Sequence, residues 1–258
     1  PLDVLIIGAG LSGVGTACHI AREFPDKTIA LIERRKTLGG TWDLFRYPGI
    51  RSDSDMASFG YGFKPWLASK VLADGPAIRD YVIETAKEFK LYEKTHFGLQ
   101  TQTANWSSED KLWTLVTRHE DTGEERVFTC RYLISCTGYF NHDHGYRPEF
   151  PGEENFKGQI IHPQQWPEDL DYSNKRVIVI GSGATAVTLL PAMAEKVSHI
   201  TMLQRSPSYV FALPNKDKVS DLLGKLLPRS VVFKLARGRN IAIQRALFIS
   251  CRRWPNVM

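Results

Sequence analysis

The chain has 258 residues, 43% hydrophobic and 24% charged, with a formal net charge of +5. That is enough apolar material for one large or two ordinary domains, and it excludes a disordered polyelectrolyte. The sequence enters an apolar strand at once, without a basic leader. It has no run of the roughly 18 apolar residues that a spanning helix requires, so a soluble, cytoplasmic protein is expected.

The first predicted element is the strand-turn of "VLIIGAGLSG", residues 4–13. Four consecutive apolar residues suit a parallel strand buried on both faces. In the turn, Gly8 allows the tight bend, Gly10 lets the backbone approach a pyrophosphate and Gly13 permits close packing of helix on strand, with Ser12 opening that helix. A helix over residues 12–23 then leads to "TIALIE", which ends on Glu33, 20 residues beyond Gly13. A carboxylate there can accept hydrogen bonds from ribose hydroxyls.

The segment 78–89 spaces Ile78, Tyr81, Val82, Thr85 and Phe89 as one helix face and reads as core packing. Residues 96–138 alternate or run apolar as three strands, with a turn at 121–123, and form a β-meander inserted in the first unit. "NHDHGY" places two His and an Asp together at residues 141–146, but their spacing is loop-like and no metal is expected.

The strand-turn pattern recurs in "VIVIGSGATA", residues 177–186. Gly181, Gly183 and Ala186 take the three turn positions, with Ser182, Ala184 and Thr185 between and after them. A helix over 184–196, kinked or shortened at Pro191, leads to "HITMLQ" and then Arg205. The strand-end acid of the first copy has become a base. A guanidinium can grip a 2′-phosphate that a carboxylate would repel, so the second site is expected to prefer NADP and the first NAD or FAD. A protein that holds two dinucleotides commonly passes hydride between them, which makes FAD the occupant of the first site.

The basic charge is concentrated at the end: residues 216–258 hold ten Lys/Arg against two Asp/Glu. Residues 230–254 can form a basic, partly amphipathic helix, weakened at Gly238. Internal packing is favoured over contact with a membrane surface because the apolar positions do not form one stripe. No nucleic-acid partner is expected. Cys18, Cys130, Cys136 and Cys251 contain no CxxC pair. They are expected to be reduced thiols, which argues against a disulfide reductase built on the same two turns.

Three motifs carry a resemblance to a known family. "FKGQIIHPQQWP" matches FxGxxxHxxxWP at Phe156, Gly158, His162, Trp166 and Pro167. "GGTWDLFRYPGIRSD" supplies Gly39, Gly40, Trp42, Tyr47, Pro48, Gly49 and Asp53 in register, and "ISCTG" closes a strand at residues 134–138. In these the chain resembles the type I Baeyer-Villiger monooxygenases, a branch of the flavin monooxygenases with two dinucleotide-binding domains. Its nearest likeness is to the mycobacterial ethionamide-activating subgroup.

The resemblance implies that Gly8, Gly10, Ser12, Gly13, Glu33, Gly40, Thr41, Trp42 and Asp53 line FAD. Arg51 and Ser52 would border the nicotinamide, and Gly181 to Ala186 with Gln204 and Arg205 would hold NADP. Asp53 would support catalysis by pairing with an arginine whose motif does not occur in these residues. His162 and Trp166 would couple the two cofactors through the linker. It implies the reaction too: NADPH reduces the flavin, O2 adds to form a C4a-peroxyflavin, and one oxygen atom enters beside a ketone carbonyl to give an ester or lactone, or enters a thioether sulfur. A flavin monooxygenase confined to nitrogen or sulfur would usually lack Trp166-Pro167, and a non-catalytic cofactor-binding fragment is the other alternative.

The expected fold is α/β: two Rossmann-like units with parallel sheets plus the meander. Residues 1–140 would bind FAD, 141–174 would form the fingerprint linker, and 175–258 would bind NADP. The chain is expected to be truncated, with the NADP unit incomplete.

Overall fold

A computed structural model describes residues 1–68, 70–208, 210 and 214–255. The first unit is a six-stranded sheet in the order β3-β2-β1-β6-β5-β4. It comprises β1 (Leu2–Ile7), β2 (Ile29–Ile32), β3 (Thr95–His96), β4 (Leu99–Ser107), β5 (Leu112–His119) and β6 (Glu125–Ser135). Strands β3, β2, β1 and β6 run parallel to their neighbours, whereas β4, β5 and β6 pair antiparallel.

The side-chain period of two explains why β1 and β2 read as unbroken apolar runs. Val4, Ile6, Ile29 and Leu31 face the helices α1 (Leu11–Glu23) and α4 (Gly75–Glu88). Leu5, Ala30 and Ile32 face the opposite side, where Leu99, Leu115 and Cys130 complete a second cluster. Both faces of these strands are therefore dry.

The expected meander is present as β4-β5-β6, and it is continuous with the parallel strands through β6. β6 is one long strand whose first half pairs with β5 and whose second half pairs with β1. Cys130 is the pivot, opposite both Trp113 and Leu2. Helix α4 follows its expected stripe. Asp74 caps it by accepting from the Ala77 amide at 2.9 Å, and Ile78, Tyr81, Val82, Thr85 and Ala86 are buried.

Two short helices, α2 (Thr41–Leu44) and α3 (Met56–Phe59), flank the "RYPGIRSD" stretch. The linker carries 3-10 turns at Glu153–Asn155 and Pro163–Gln165. The second unit is a parallel pair, β7 (Arg176–Ile180) and β8 (His199–Leu203), with α5 (Ala184–Ala194) between them. Val177 and Val179 turn inward, while Ile178 and Ile180 are 63% and 59% exposed.

Helix α5, expected over residues 184–196 with a kink or shortening at Pro191, ends at Ala194 and carries Pro191 inside it. It runs past the proline because Leu189 and Met193 are buried against Phe45 and Tyr47. Each such burial is worth about 1.5–3 kcal/mol, comparable with the roughly 3 kcal/mol cost of an interior proline.

After α6 (Lys218–Leu223), α7 (Arg229–Arg253) is one continuous helix that Gly238 does not interrupt. Its first half packs inward through Val232, Phe233 and Ala236, while Ile243, Leu247, Phe248 and Ile249 stand exposed further along. Among the described residues no helix is long and apolar enough to cross a membrane.

Candidate dinucleotide-binding site

The two glycine turns are built alike and differ in their surroundings. Gly8 has φ +97°, and a methyl group there would sit 2.4 Å from the Cys136 carbonyl oxygen. A methyl group on Gly13 would lie 1.9 Å from the Gly8 carbonyl oxygen, so helix α1 and strand β1 touch backbone to backbone. Gly10 faces Gly40: a Cβ on Gly40 would stand 2.9 Å from the Gly10 α-carbon. The first turn and the start of the "GGTW" fingerprint are thus one surface. In the second turn Gly181 has φ +118°, and added Cβ atoms at Gly181 and Gly183 would meet nothing within 4 Å.

Capping separates these helices from α3, α4 and α6, while α2 and α7 also lack a side-chain cap. α3, α4 and α6 each end N-terminally on an Asp whose carboxylate accepts a backbone N–H. α1 and α5 start on Gly10 and Gly183, with no side-chain cap and no acidic residue in the first turn. Their first-turn N–H groups and positive dipole ends are left for an external anion.

Glu33 is 3% exposed at the end of β2. Its Oε2 accepts from the Ala9 amide at 2.7 Å and its Oε1 from the Arg35 amide at 2.8 Å, so the carboxylate latches the glycine turn to the neighbouring strand. Burial pushes its pKa up, against the lowering pull of those two amides. Each carboxylate oxygen has a second lone pair, so the group can still accept from a ribose hydroxyl.

Asp43, which the sequence reading missed, is equally buried on α2. It takes the Arg35 guanidinium at 2.6 and 2.8 Å and the Arg46 Nη2 at 2.9 Å. The signal was an acid inside the aromatic stretch "TWDLF", with Arg46 three positions on. Thr41 and Trp42 lie beside it, half-buried, and the Trp42 ring meets Phe59 edge-on at 5.8 Å.

Asp53 is exposed and makes no hydrogen bond or ion pair among the described residues. Arg51 is exposed and bridges to Asp74 through the backbone, whereas Ser52 is buried and spends its hydroxyl on its own turn, donating to the Ser54 carbonyl at 2.9 Å. In the second unit the Gly181 amide donates to Leu203 at 2.9 Å, which brings the end of β8 beside the turn. Ser182 reaches Ser208 Oγ at 2.9 Å, so the loop after Arg205 folds back on the turn. Gln204 and Arg205 are exposed at that strand end.

The linker fingerprint resolves into contacts. A Cβ on Gly158 would be 2.6 Å from the Phe156 ring, so that glycine makes room for the phenylalanine two positions before it. A Cβ on Gly145 would lie 2.0 Å from the His162 ring. His162 Nδ1 accepts from the Gln164 amide at 3.2 Å, and Gln164 and Gln165 donate to the carbonyls of Asn141 and Asp143. Asp143 in turn pairs with Arg34, the residue after Glu33. The "NHDHGY" loop is therefore a strut between the fingerprint and the end of β2.

Trp166 packs with Tyr172, Phe45, Tyr47, Leu189 and Met193 in the seam between the two units. Gly49, at φ +80°, is there because a Cβ would strike the Thr188 carbonyl oxygen of α5 at 2.4 Å. Clefts of about 350 Å³ at α3 and α7, 1300 Å³ beside α4 and 550 Å³ around His162 lie away from both glycine turns.

A family model described as flavin-binding monooxygenase-like matches residues 71–222. The chain belongs to that family. A second model, an NAD(P)-binding Rossmann-like domain, matches residues 6–72.

Among curated relatives, the FAD-containing monooxygenase MymA of Mycobacterium tuberculosis is 64% identical over 99% of this chain. The FAD-containing monooxygenase EthA of the same organism is 46% identical over 100% of it. The chain covers 52% of each, so it spans about half the length of the curated relatives it matches.

Among solved structures, a cyclohexanone-bound cyclohexanone monooxygenase is similar with a TM-score of 0.73 at 26% identity, covering 87% of this chain and 43% of that one. OTEMO in complex with FAD and NADP is similar with a TM-score of 0.72 at 30% identity, covering 95% and 44%. The family expected from the fingerprints is borne out, and the fold with it.

Proposed function

We propose that this chain supplies the FAD site and part of the NADP site of an NADPH-dependent flavoprotein monooxygenase that inserts one oxygen atom of O2 beside a ketone carbonyl, and that also oxidises thioether sulfur. One observation carries the reading. Two helices with bare glycine N-termini sit in one molecule, one beside a strand-end carboxylate and the other beside a strand-end guanidinium, with a fingerprint-bearing linker packed into the seam between them. The names of the relatives and of the OTEMO complex support the same two cofactors, and the cyclohexanone complex supports a ketone.

The residues fit the two groups. The amides at the start of α1 would bind the FAD pyrophosphate, with Gly8, Gly10, Ser12 and Gly13 keeping the approach open and Glu33 holding the ribose. Gly40, Thr41 and Trp42 would close the far side of that turn, Asp53 would lie near the flavin, and Arg51 and Ser52 would border the nicotinamide. Gly181, Ser182, Gly183, Ala184, Thr185 and Ala186 would cradle the NADP pyrophosphate, while Gln204 and Arg205 would take its adenosine end and 2′-phosphate. FAD, when bound, carries electrons from NADPH to O2. The protein's own part would be to hold both nucleotides across the seam, where the apolar cluster of Phe45, Tyr47, Trp166 and Leu189 would help keep water out. His162 and Trp166 would transmit nucleotide position through the strut to β2.

The test is a visible spectrum of the purified protein, followed by NADPH addition and product mass with a ketone and a thioether. Bound flavin that bleaches with NADPH, and an ester from the ketone, are expected. A colourless protein refutes the cofactor assignment. Sulfoxide without ester would restrict the reaction to heteroatoms.

A further inference from the structure

The side chains of α7 reach back across the molecule to a four-residue helix. Arg237 Nη1 donates to the carbonyls of Ala57, Ser58 and Gly60 at 2.8, 3.1 and 3.0 Å. At the other end of α3 the Asp55 carboxylate, which caps the Ser58 amide at 2.9 Å, accepts from Asn240 Nδ2 at 2.8 Å and Gln244 Nε2 at 3.2 Å. Residues 237, 240 and 244 fall on one helical stripe. Asn240 is itself held, since its Oδ1 accepts from Arg239 at 2.8 and 2.9 Å and Arg239 pairs with Asp217.

A single helical turn has almost no stability of its own, and its terminal carbonyls have no intrahelical partner. Here one guanidinium satisfies three of the carbonyls and two amides grip the cap. The partners are 177 to 189 positions apart in sequence, so this is a long-range clamp and not local turn chemistry.

Asp53 lies two residues before Asp55. The bend that carries it is pinned upstream by the Ser52 amide on Ala73 and downstream by the Met56 amide on Val71, both at 2.9 Å. We propose that Arg237, with Asn240, is a positioning residue that sets the placement of Asp53, the carboxylate assigned above to the flavin site, and so governs how much of the NADPH consumed ends as oxygenated product. This rests on the function proposed above. In the coupled reaction the two electrons of NADPH leave one oxygen atom in the substrate and the other in water. In the uncoupled reaction the same two electrons and two protons convert O2 to hydrogen peroxide.

The test compares Arg237→Met and Arg237→Lys in the flavin-loaded protein. Arg237→Met is expected to speed amide exchange over residues 55–60 by about tenfold or more. Bound flavin should be unchanged, and the peroxide released per NADPH should rise by about fivefold. Arg237→Lys, which keeps a cation and three donors, should fall between and stays informative if the Met variant does not fold. In an Asp53→Ala background, Arg237→Met should leave the peroxide release rate within about twofold.

Faster exchange with wild-type coupling would overturn the positioning role, as would an equally large effect of Arg237→Met with Asp53 absent. A wild-type protein that takes up no FAD would sink the functional reading instead. The clamp is then judged on exchange alone, where unchanged protection over residues 55–60 in Arg237→Met overturns it.

Discussion

Gly49 is the position where the packing of the two units can be tested most directly. Replacing it with Ala has two costs. The residue sits at φ +80°, which costs an L side chain about 1–2 kcal/mol. The new methyl group would also meet the Thr188 carbonyl oxygen at 2.4 Å and the Ala192 Cβ at 2.8 Å, so α5 must move, an overpacking of about 1–3 kcal/mol. Gly138 provides the control, because it has nearly the same φ of +74° but nothing within 4 Å of an added Cβ. Gly138→Ala should therefore cost only the conformational term, about 1–2 kcal/mol, and Gly49→Ala about 2–5 kcal/mol. Denaturant unfolding followed by far-ultraviolet circular dichroism and tryptophan fluorescence measures both. If the two variants agree to within about 0.5 kcal/mol, the contact between the "YPG" turn and α5 does not hold the units together in the way described.

Glu33→Gln should lower stability by about 1–3 kcal/mol, because an amide can offer one acceptor oxygen to two backbone donors and sets its own NH2 against the other. Since burial raises the folded carboxyl above its unfolded value of about 4.3, ionisation of Glu33 costs stability as pH rises from that value through the folded one. The variant should lose this slope in pH-dependent thermal melts, and an unchanged slope would contradict it. Asp217 has the opposite sign: the Arg239 guanidinium beside it holds its carboxyl well below the usual range. Its contribution is complete above about pH 3.9 and lost as acid drives the pH down through the folded value, so Asp217→Asn should flatten the acid limb of the same melts. Arg205→Ala should raise the KM for NADPH by about tenfold or more and largely spare NADH, and equal use of both before and after the change would refute the phosphate role.

Much of the first unit was legible because its physics is local. Strands buried on both faces write themselves as "VLII" and "IALI", and the α4 stripe follows from 3.6 residues per turn. The glycine turns were legible for the same reason, since a positive φ and a backbone-to-backbone contact leave glycine little competition. What escaped detection is set by partners distant in sequence. Nothing near Cys130 shows that one strand faces both Leu2 and Trp113. Nothing near Gly49 announces the Thr188 carbonyl, and Asp43 reads as a solvated helix acid until Arg35 and Arg46 close on it. How far α5 runs past Pro191 was not legible, because the proline's cost is a property of the isolated helix whereas the burial of Leu189 and Met193 belongs to the tertiary seam. His162 was singled out by spacing, but its contact with Gly145 and the strut to Arg34 depend on a loop that had looked incidental.

The double pairing of β6 has a consequence for how the protein is made. As the chain leaves the ribosome, β1 can join β2 early, but its other edge waits until residues 130–135 emerge. Throughout that interval an apolar strand presents unpaired N–H and C=O groups to any neighbouring nascent chain, the circumstance in which slow, non-local sheets aggregate. Yield on synthesis should therefore respond to chaperone supply and temperature more steeply than the stability of the finished fold does.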